Sequence, residues 1–197
     1  MGKNNDFLKQ IEEEIASTFG AKLIKETYST DDEKLSVDIL KAEDCPCEEV
    51  NSYATLGASL YPNVQPNGND IRVEFVALGY CEDDEVIQEI LSTCAYLVMD
   101  GEVTMCPYFV IQNILDEFLE DSEMKHILLI RPFGWRKELA FSHIDDQVLS
   151  YLMICPISDK EFEFLRKQGV EKGPQKLMAK FQQEGIDICD LERESIF

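Results

Sequence analysis

From Ser52 to Ala77 the chain reads SYATLGASLYPNVQPNGNDIRVEFVA, and no other stretch restricts the possible folds as much. Its first third alternates apolar and polar residues, the period of a half-buried strand. Pro62, Pro66 and Gly68 then break any regular element and require an irregular loop. Val73, Phe75 and Val76 resume an apolar strand, with one acid, Glu74, among them. Two strands joined by a stiff loop need a sheet to receive them both.

The flanking sequence supplies helices and further strands. Phe7, Ile11, Ile15 and Phe19 fall on one helical face, and Gly20 stands where that helix would stop. Lys22–Tyr28 and Leu35–Leu40 read as strands around the turn Thr30-Asp31-Asp32. Ala42–Val50 reads as a polar loop. Glu82–Glu85 place four acids at a helix start, where the macrodipole favours them. Val86, Ile90, Cys94 and Leu97 follow as its inner face, closed by Asp100-Gly101.

Pro107–Glu120 is expected to be a loop leading into a short amphipathic segment. Ile127–Ile130 and Val148–Ile157 are continuous apolar runs of strand length. Pro132-Phe133-Gly134-Trp135 turns the chain between them. Ser158-Asp159-Lys160-Glu161 is a capping box opening a helix through Phe162 and Leu165. Gly173-Pro174 opens the last helix, with Leu177, Met178 and Phe181 inward and Gly185 as its stop. The expected class is mixed α/β (α+β): a central, largely antiparallel sheet flanked by about four helices, with six strands, in a single domain 1–197.

Size and composition fit that expectation. A chain of 197 residues with 45% hydrophobic content can bury roughly 70% of its unfolded surface. No run is long enough to span a bilayer. The start MGKNNDFLKQ lacks a signal-peptide core, and Asp6 stands where a myristoylation signal following Met1-Gly2 needs Ser or Thr. A cytoplasmic location follows as an expectation. The seven cysteines, of which Cys94, Cys106, Cys155 and Cys189 lie in apolar surroundings, then read as buried thiols in a reducing compartment. Acids outnumber bases 39 to 18, a formal net charge of −21. That field repels phosphate backbones and anionic lipid, which argues against nucleic acid or membrane as partner, and it speeds encounter with a basic protein.

Signals for catalysis are weak. Cys45-Pro46-Cys47 supplies half a zinc site at most, because no second Cys or His pair accompanies it, and an ordinary loop accounts for the same residues. His143-Ile144-Asp145-Asp146 is the best acid–base candidate, since His143 and Asp145 would share a strand face. Ser142 would point the other way, and a turn between strands explains the segment equally. His126, at the head of an apolar strand, reads as a satisfied buried histidine. Glu82–Glu85 lack the alternating ligand spacing of a calcium loop. No phosphate-binding or dinucleotide fingerprint occurs, so neither a metal nor an organic cofactor is expected.

Tyr53–Tyr61, YATLGASLY, resembles the strand motif of the suppressor-of-fused domain family. The likeness continues through Val73-Glu74-Phe75, Ala95-Tyr96, Met124–Leu129 and Val148–Ile157 with the glutamate-containing helix start after it. It ends on Ile188–Phe197, ICDLERESIF, where the chain closes on apolar residues. The resemblance implies a binding domain and not an enzyme. Two-lobed animal members sequester a transcription factor between their lobes. This chain resembles the first lobe alone, which implies a single-lobe member of the type typical of bacteria. Many of those resemble immunity proteins that neutralise a secreted polymorphic toxin by tight binding. The family's ligand-gripping tyrosine carries over to Tyr61, and a loop aspartate carries over to Asp70, with the loop rebuilt as Pro62–Asn69. Glu74 in the second motif strand completes the expected partner-binding set. A strand-end aromatic cap would equally account for Tyr61. Two other functions stay open from the residues: a small hydrolase or metal-dependent enzyme centred on His143, and a regulator that sequesters a disordered protein segment.

Overall fold

The apolar stripe of the first nineteen residues is the buried face of α1 (Gly2–Phe19), with Phe7, Ile11, Ile15 and Phe19 all inward. Gly20 ends it at φ 69°, and its amide donates to the Ala16 carbonyl. The computed structural model describes residues 2–101, 103–139, 141–144, 146–169 and 172–197, apart from the side chains of Gly2 and Lys3. Met1 of the myristoylation reading and Asp145 of the acid–base reading lie outside the described residues.

Eight strands follow in chain order: β1 (Ile24–Ser29), β2 (Ser36–Ala42), β3 (Val50–Leu56), β4 (Ile71–Tyr80), β5 (Val110–Ile111), β6 (Met124–Ile130), β7 (Phe141–Ile144) and β8 (Gln147–Ser158). Between and after them lie α2 (Asp84–Met99), α3 (Asp159–Gln168) and α4 (Gly173–Glu184). The strands form a mixed sheet in the order β1-β2-β3-β4-β8-β6-β5, with β7 paired to β8. Among the described residues β4 pairs with β8 in parallel, whereas β1–β2, β2–β3, β3–β4, β5–β6 and β7–β8 are antiparallel, so the expected α+β architecture holds. Two more strands are present than the sequence predicted. β5 and β7 have two and four residues, too few to show a period of two.

The chain divides into two units. The first comprises Met1–Cys106 and Arg131–Met153. Its core is the underside of α1 and α2 with Val37, Ile39, Tyr53, Phe75 and Leu152 of the strands. The inner face of α2 differs from the expected one. Ile87, Ile90, Leu91, Cys94, Ala95 and Val98 are buried, whereas Val86 and Leu97 are only half-buried. At Gly79 of β4 an added Cβ would lie 1.8 Å from the Ile87 Cδ1, so Ile87 packs into the space that glycine leaves. The predicted run of four acids at the helix start is also divided. Cys81–Asp83 form a 3-10 turn, and only Asp84 and Glu85 lie in the first turn of α2.

The second unit comprises Pro107–Ile130 and Ile154–Phe197. The capping box at its helix start is present in both directions: Ser158 Oγ accepts from Glu161 N, and Ser158 N donates to Glu161 Oε2. Gly185 stops α4 at φ 67° as expected, and Leu177 and Phe181 are inward. Of the cysteines expected in the interior, Cys94 and Cys155 are buried, and burial pushes both thiols up to about 12. Cys106 and Cys189 are half-buried instead, and Cys45 is buried with its thiol 2.9 Å from the Phe19 carbonyl. Among the described residues no helix is long and apolar enough to cross a membrane.

Candidate partner-binding site

Glu74 anchors the segment between β3 and β4 from below. It has no solvent exposure, and its carboxylate accepts four hydrogen bonds. They come from Thr55 Oγ1 (2.5 Å), Gly57 N (2.8 Å), Ser59 N (3.1 Å) and Ser59 Oγ (2.5 Å). Thr55 Oγ1 in turn accepts from Phe75 N at 2.8 Å. Gly57 sits at φ 132°, a conformation that a side chain would strain, and this lets the chain leave β3 into the 3-10 turn Ala58–Leu60. Burial pushes the Glu74 carboxyl above the ordinary range, and the donors from Ser59, Thr55 and Gly57 offset only part of that. An isolated acid in an apolar strand is thus the fastening of a corner.

The loop leaving that corner is held by Asn63. Its amide nitrogen donates to the carbonyls of Ile71 (2.7 Å) and Met105 (2.9 Å), and its amide oxygen accepts from Met105 N (2.8 Å). Asp70 closes the loop from the far side. It accepts from Asn63 N at 2.9 Å and pairs with Arg72 Nη2 at 2.9 Å. Val64 and Asp70 form a β-bridge, and Gln65 donates to Asn69 within the tip. Thr104 Oγ1 ties back to the Val64 carbonyl at 3.2 Å. The result is a loop with fixed backbone and exposed side chains. Val64 is 51% exposed, and Tyr61, with its amide bonded to the Ala58 carbonyl, is half-buried at the loop's entrance. Among the described residues no group hydrogen-bonds the Tyr61 hydroxyl. Of the three expected partner-binding residues, Tyr61 and Asp70 therefore border one surface loop, and Glu74 lies beneath it.

This strand–corner–loop–strand segment falls inside a family match that spans residues 33–194, to the family described as Suppressor of fused protein (SUFU). The chain belongs to the suppressor-of-fused family. It is 32% identical over 189 residues, 95% of this chain and 96% of the other, to a Bacillus subtilis (strain 168) protein named Immunity protein YqcF. Its fold is similar to that of a putative SUFU homolog from Neisseria gonorrhoeae FA 1090, at a TM-score of 0.69 with 21% identity and 96% of each chain covered. It is also similar to a chain of a Sufu-Fu complex, at a TM-score of 0.64 with 13% identity, 96% of this chain and 92% of that one covered.

The other residues singled out in this suppressor-of-fused chain lie away from that loop or are held by structural contacts. His143 is exposed on β7, on the hairpin with β8. Ser142 faces away from it and donates to the Glu14 carboxylate at 2.5 Å, and Tyr151 OH reaches Glu14 Oε2 at 3.0 Å. His126 is 2% exposed. Its Nδ1 accepts from Asn113 N at 2.9 Å, which places the ring proton on Nε2, 3.1 Å from Asp159 Oδ1. Cys45 and the loop after it pack against the end of α1 through that thiol contact.

Two clusters went unread in the sequence. Asp84, assigned there to the helix dipole, accepts from Lys41 Nζ (2.6 Å), Asn51 Nδ2 (3.0 Å) and Tyr53 OH (2.5 Å). Burial opposes its charge, but these three donors outweigh burial and hold its carboxyl below the ordinary range. In the second unit, Arg193 of the closing segment makes a two-pronged pair with Glu161, both contacts 2.8 Å. Neither cluster carries a local spacing that would reveal it.

Proposed function

We propose that this family member is an immunity-type protein that acts in the cytoplasm and neutralises a cognate polymorphic toxin by tight, non-catalytic binding. The relationship to the immunity protein of Bacillus subtilis carries the proposal, because it runs over 95% of the chain at 32% identity. The geometry supports a binding role. A pre-organised loop loses little conformational entropy on docking, and Tyr61 presents a large amphipathic side chain at its entrance. The contacts come from Tyr61 and Asp70, and Glu74 acts by fastening the corner that carries them. The partner is a protein, a basic toxin domain such as a nuclease, which the charge of −21 would steer into contact. Nucleic acid and membrane are not partners in this reading.

Growth rescue tests it. Cells expressing the toxin domain encoded beside this chain are expected to survive when the chain is co-expressed. Tyr61→Ala should weaken toxin binding by on the order of 30-fold, the range of an interface hot spot. Its melting temperature should stay close to the parent's, because the Tyr61 hydroxyl has no partner in the described residues. Unchanged affinity in that variant would remove the loop from the interface.

A further inference from the structure

We infer that a pocket beside the loop receives a long cationic side chain, a lysine or arginine, from the protein partner. The pocket has a volume of about 400 Å³ and lies within the first unit. Its walls include Phe7, Leu60 and Ile144, and its polar lining includes Arg72, Asp146 and Gln147. Leu60 immediately precedes Tyr61, and Arg72 is the residue that holds Asp70, so the pocket continues the surface of the loop.

Charge decides what it takes. The Arg72 charge is already matched at its two terminal nitrogens: Nη2 pairs with Asp70 at 2.9 Å and Nη1 donates to the Ser59 carbonyl at 3.3 Å, while its unpartnered Nε is buried out of reach of a ligand. Asp146 is exposed, and no described residue pairs with it or hydrogen-bonds its side chain. The uncompensated charge of the pocket is therefore negative. Apolar walls beneath a free carboxylate suit a side chain with a methylene stem and a cationic head. The stem would lie on Phe7, Leu60 and Ile144, and the head would reach Asp146 beside the Gln147 amide. An acidic side chain would face Asp146 and find both terminal nitrogens of Arg72 occupied.

That the cation belongs to a toxin rests on the function proposed above; the chemistry of the pocket does not. The test accordingly needs no partner. The full chain, with methyl groups labelled, is titrated by NMR with N-acetyl-lysine methylamide and N-acetyl-arginine methylamide. Norleucine and glutamate methylamides serve as apolar and acidic comparisons. The basic amides are expected to shift the methyl signals of Ile144 and Leu60, saturating in the millimolar range. Asp146→Asn should weaken that binding about three-fold, as should added salt on the unaltered chain, the effect size of a solvent-exposed ion pair. Salt dependence supplies the same discrimination if the variant folds poorly. Equal shifts from norleucine, stronger shifts from glutamate, or no shift from any amide would overturn the inference. Failure of toxin neutralisation would leave this titration unaffected, so the two claims fail separately.

Discussion

Replacing Glu161 with alanine is expected to remove about 4–5 kcal/mol of stability, the cost of leaving a buried ion without its counter-charge. Glu161 has no exposure and Arg193 is 7% exposed. Their carboxylate and guanidinium meet at 2.8 Å on both sides. Glu161 also accepts from the backbone amides of Ser158 (3.0 Å) and Ile196 (3.2 Å), so its loss would orphan two further donors. Arg193 reaches the Pro156 carbonyl at 2.8 Å and lies over the Phe181 ring at 4.7 Å, which fixes the closing segment against α4 and the end of β8. Arg193→Ala should cost less, about 3 kcal/mol, because the two backbone amides still compensate the remaining carboxylate. Urea unfolding of both single variants and the double variant measures this. The account requires Glu161→Ala to be the worse single change, and the double variant to cost clearly less than the sum. Additive losses would mean that the pair contributes nothing as a pair.

Glu74→Ala is expected to cost at least about 3 kcal/mol and to abolish partner binding together with the loop geometry. Two backbone amides and two hydroxyls would lose their common acceptor in a site closed to water. Glu74→Gln should be far milder, within about 1 kcal/mol of the parent at neutral pH. Its amide oxygen can still accept from Gly57, Ser59 N and Ser59 Oγ, and its amide nitrogen faces Thr55 Oγ1. The sign of the pH effect follows from the raised carboxyl. When the folded pKa lies above the unfolded one, the contribution to stability is fully present below the unfolded pKa and is lost as pH rises through the folded pKa. Acidification from neutrality toward the ordinary carboxylate range should therefore stabilise the parent relative to Glu74→Gln. Melting temperatures of the two proteins along a pH series give the difference directly. A gap that moves toward the variant in acid would show Glu74 to be held as a favourable charge.

What was legible in the sequence depended on distance along the chain. Stop glycines, the Ser158–Glu161 capping box and the stripe of α1 each lie within a few residues, and each is present in the structure. Tyr61 and Asp70 came from family likeness, since a half-buried tyrosine at a strand end has no spacing that marks it as a contact. The acid in an apolar strand was visible at Glu74, but its acceptor role was not, because Thr55 and Ser59 reach it only once β3 and β4 pair. Asp84 does lie in the first turn of α2 as read, but its three donors were not legible for the same reason: Lys41, Asn51 and Tyr53 come from two strands. Glu161 was legible to α3 as a cap, but its bond to Arg193, 32 residues on, was not. Hydrogen-bond partners brought together by topology leave no local pattern.

The central claim is stoichiometric, non-catalytic neutralisation, and a titration of purified toxin domain with the purified chain tests it most directly. Toxin activity should fall linearly and vanish at one equivalent, independent of incubation time. Toxin recovered from the complex by denaturation and refolding should be chemically unaltered and fully active. Progressive inactivation by sub-stoichiometric amounts of the chain would contradict the account and make this protein an enzyme, and undiminished toxin activity at excess would remove the partner altogether.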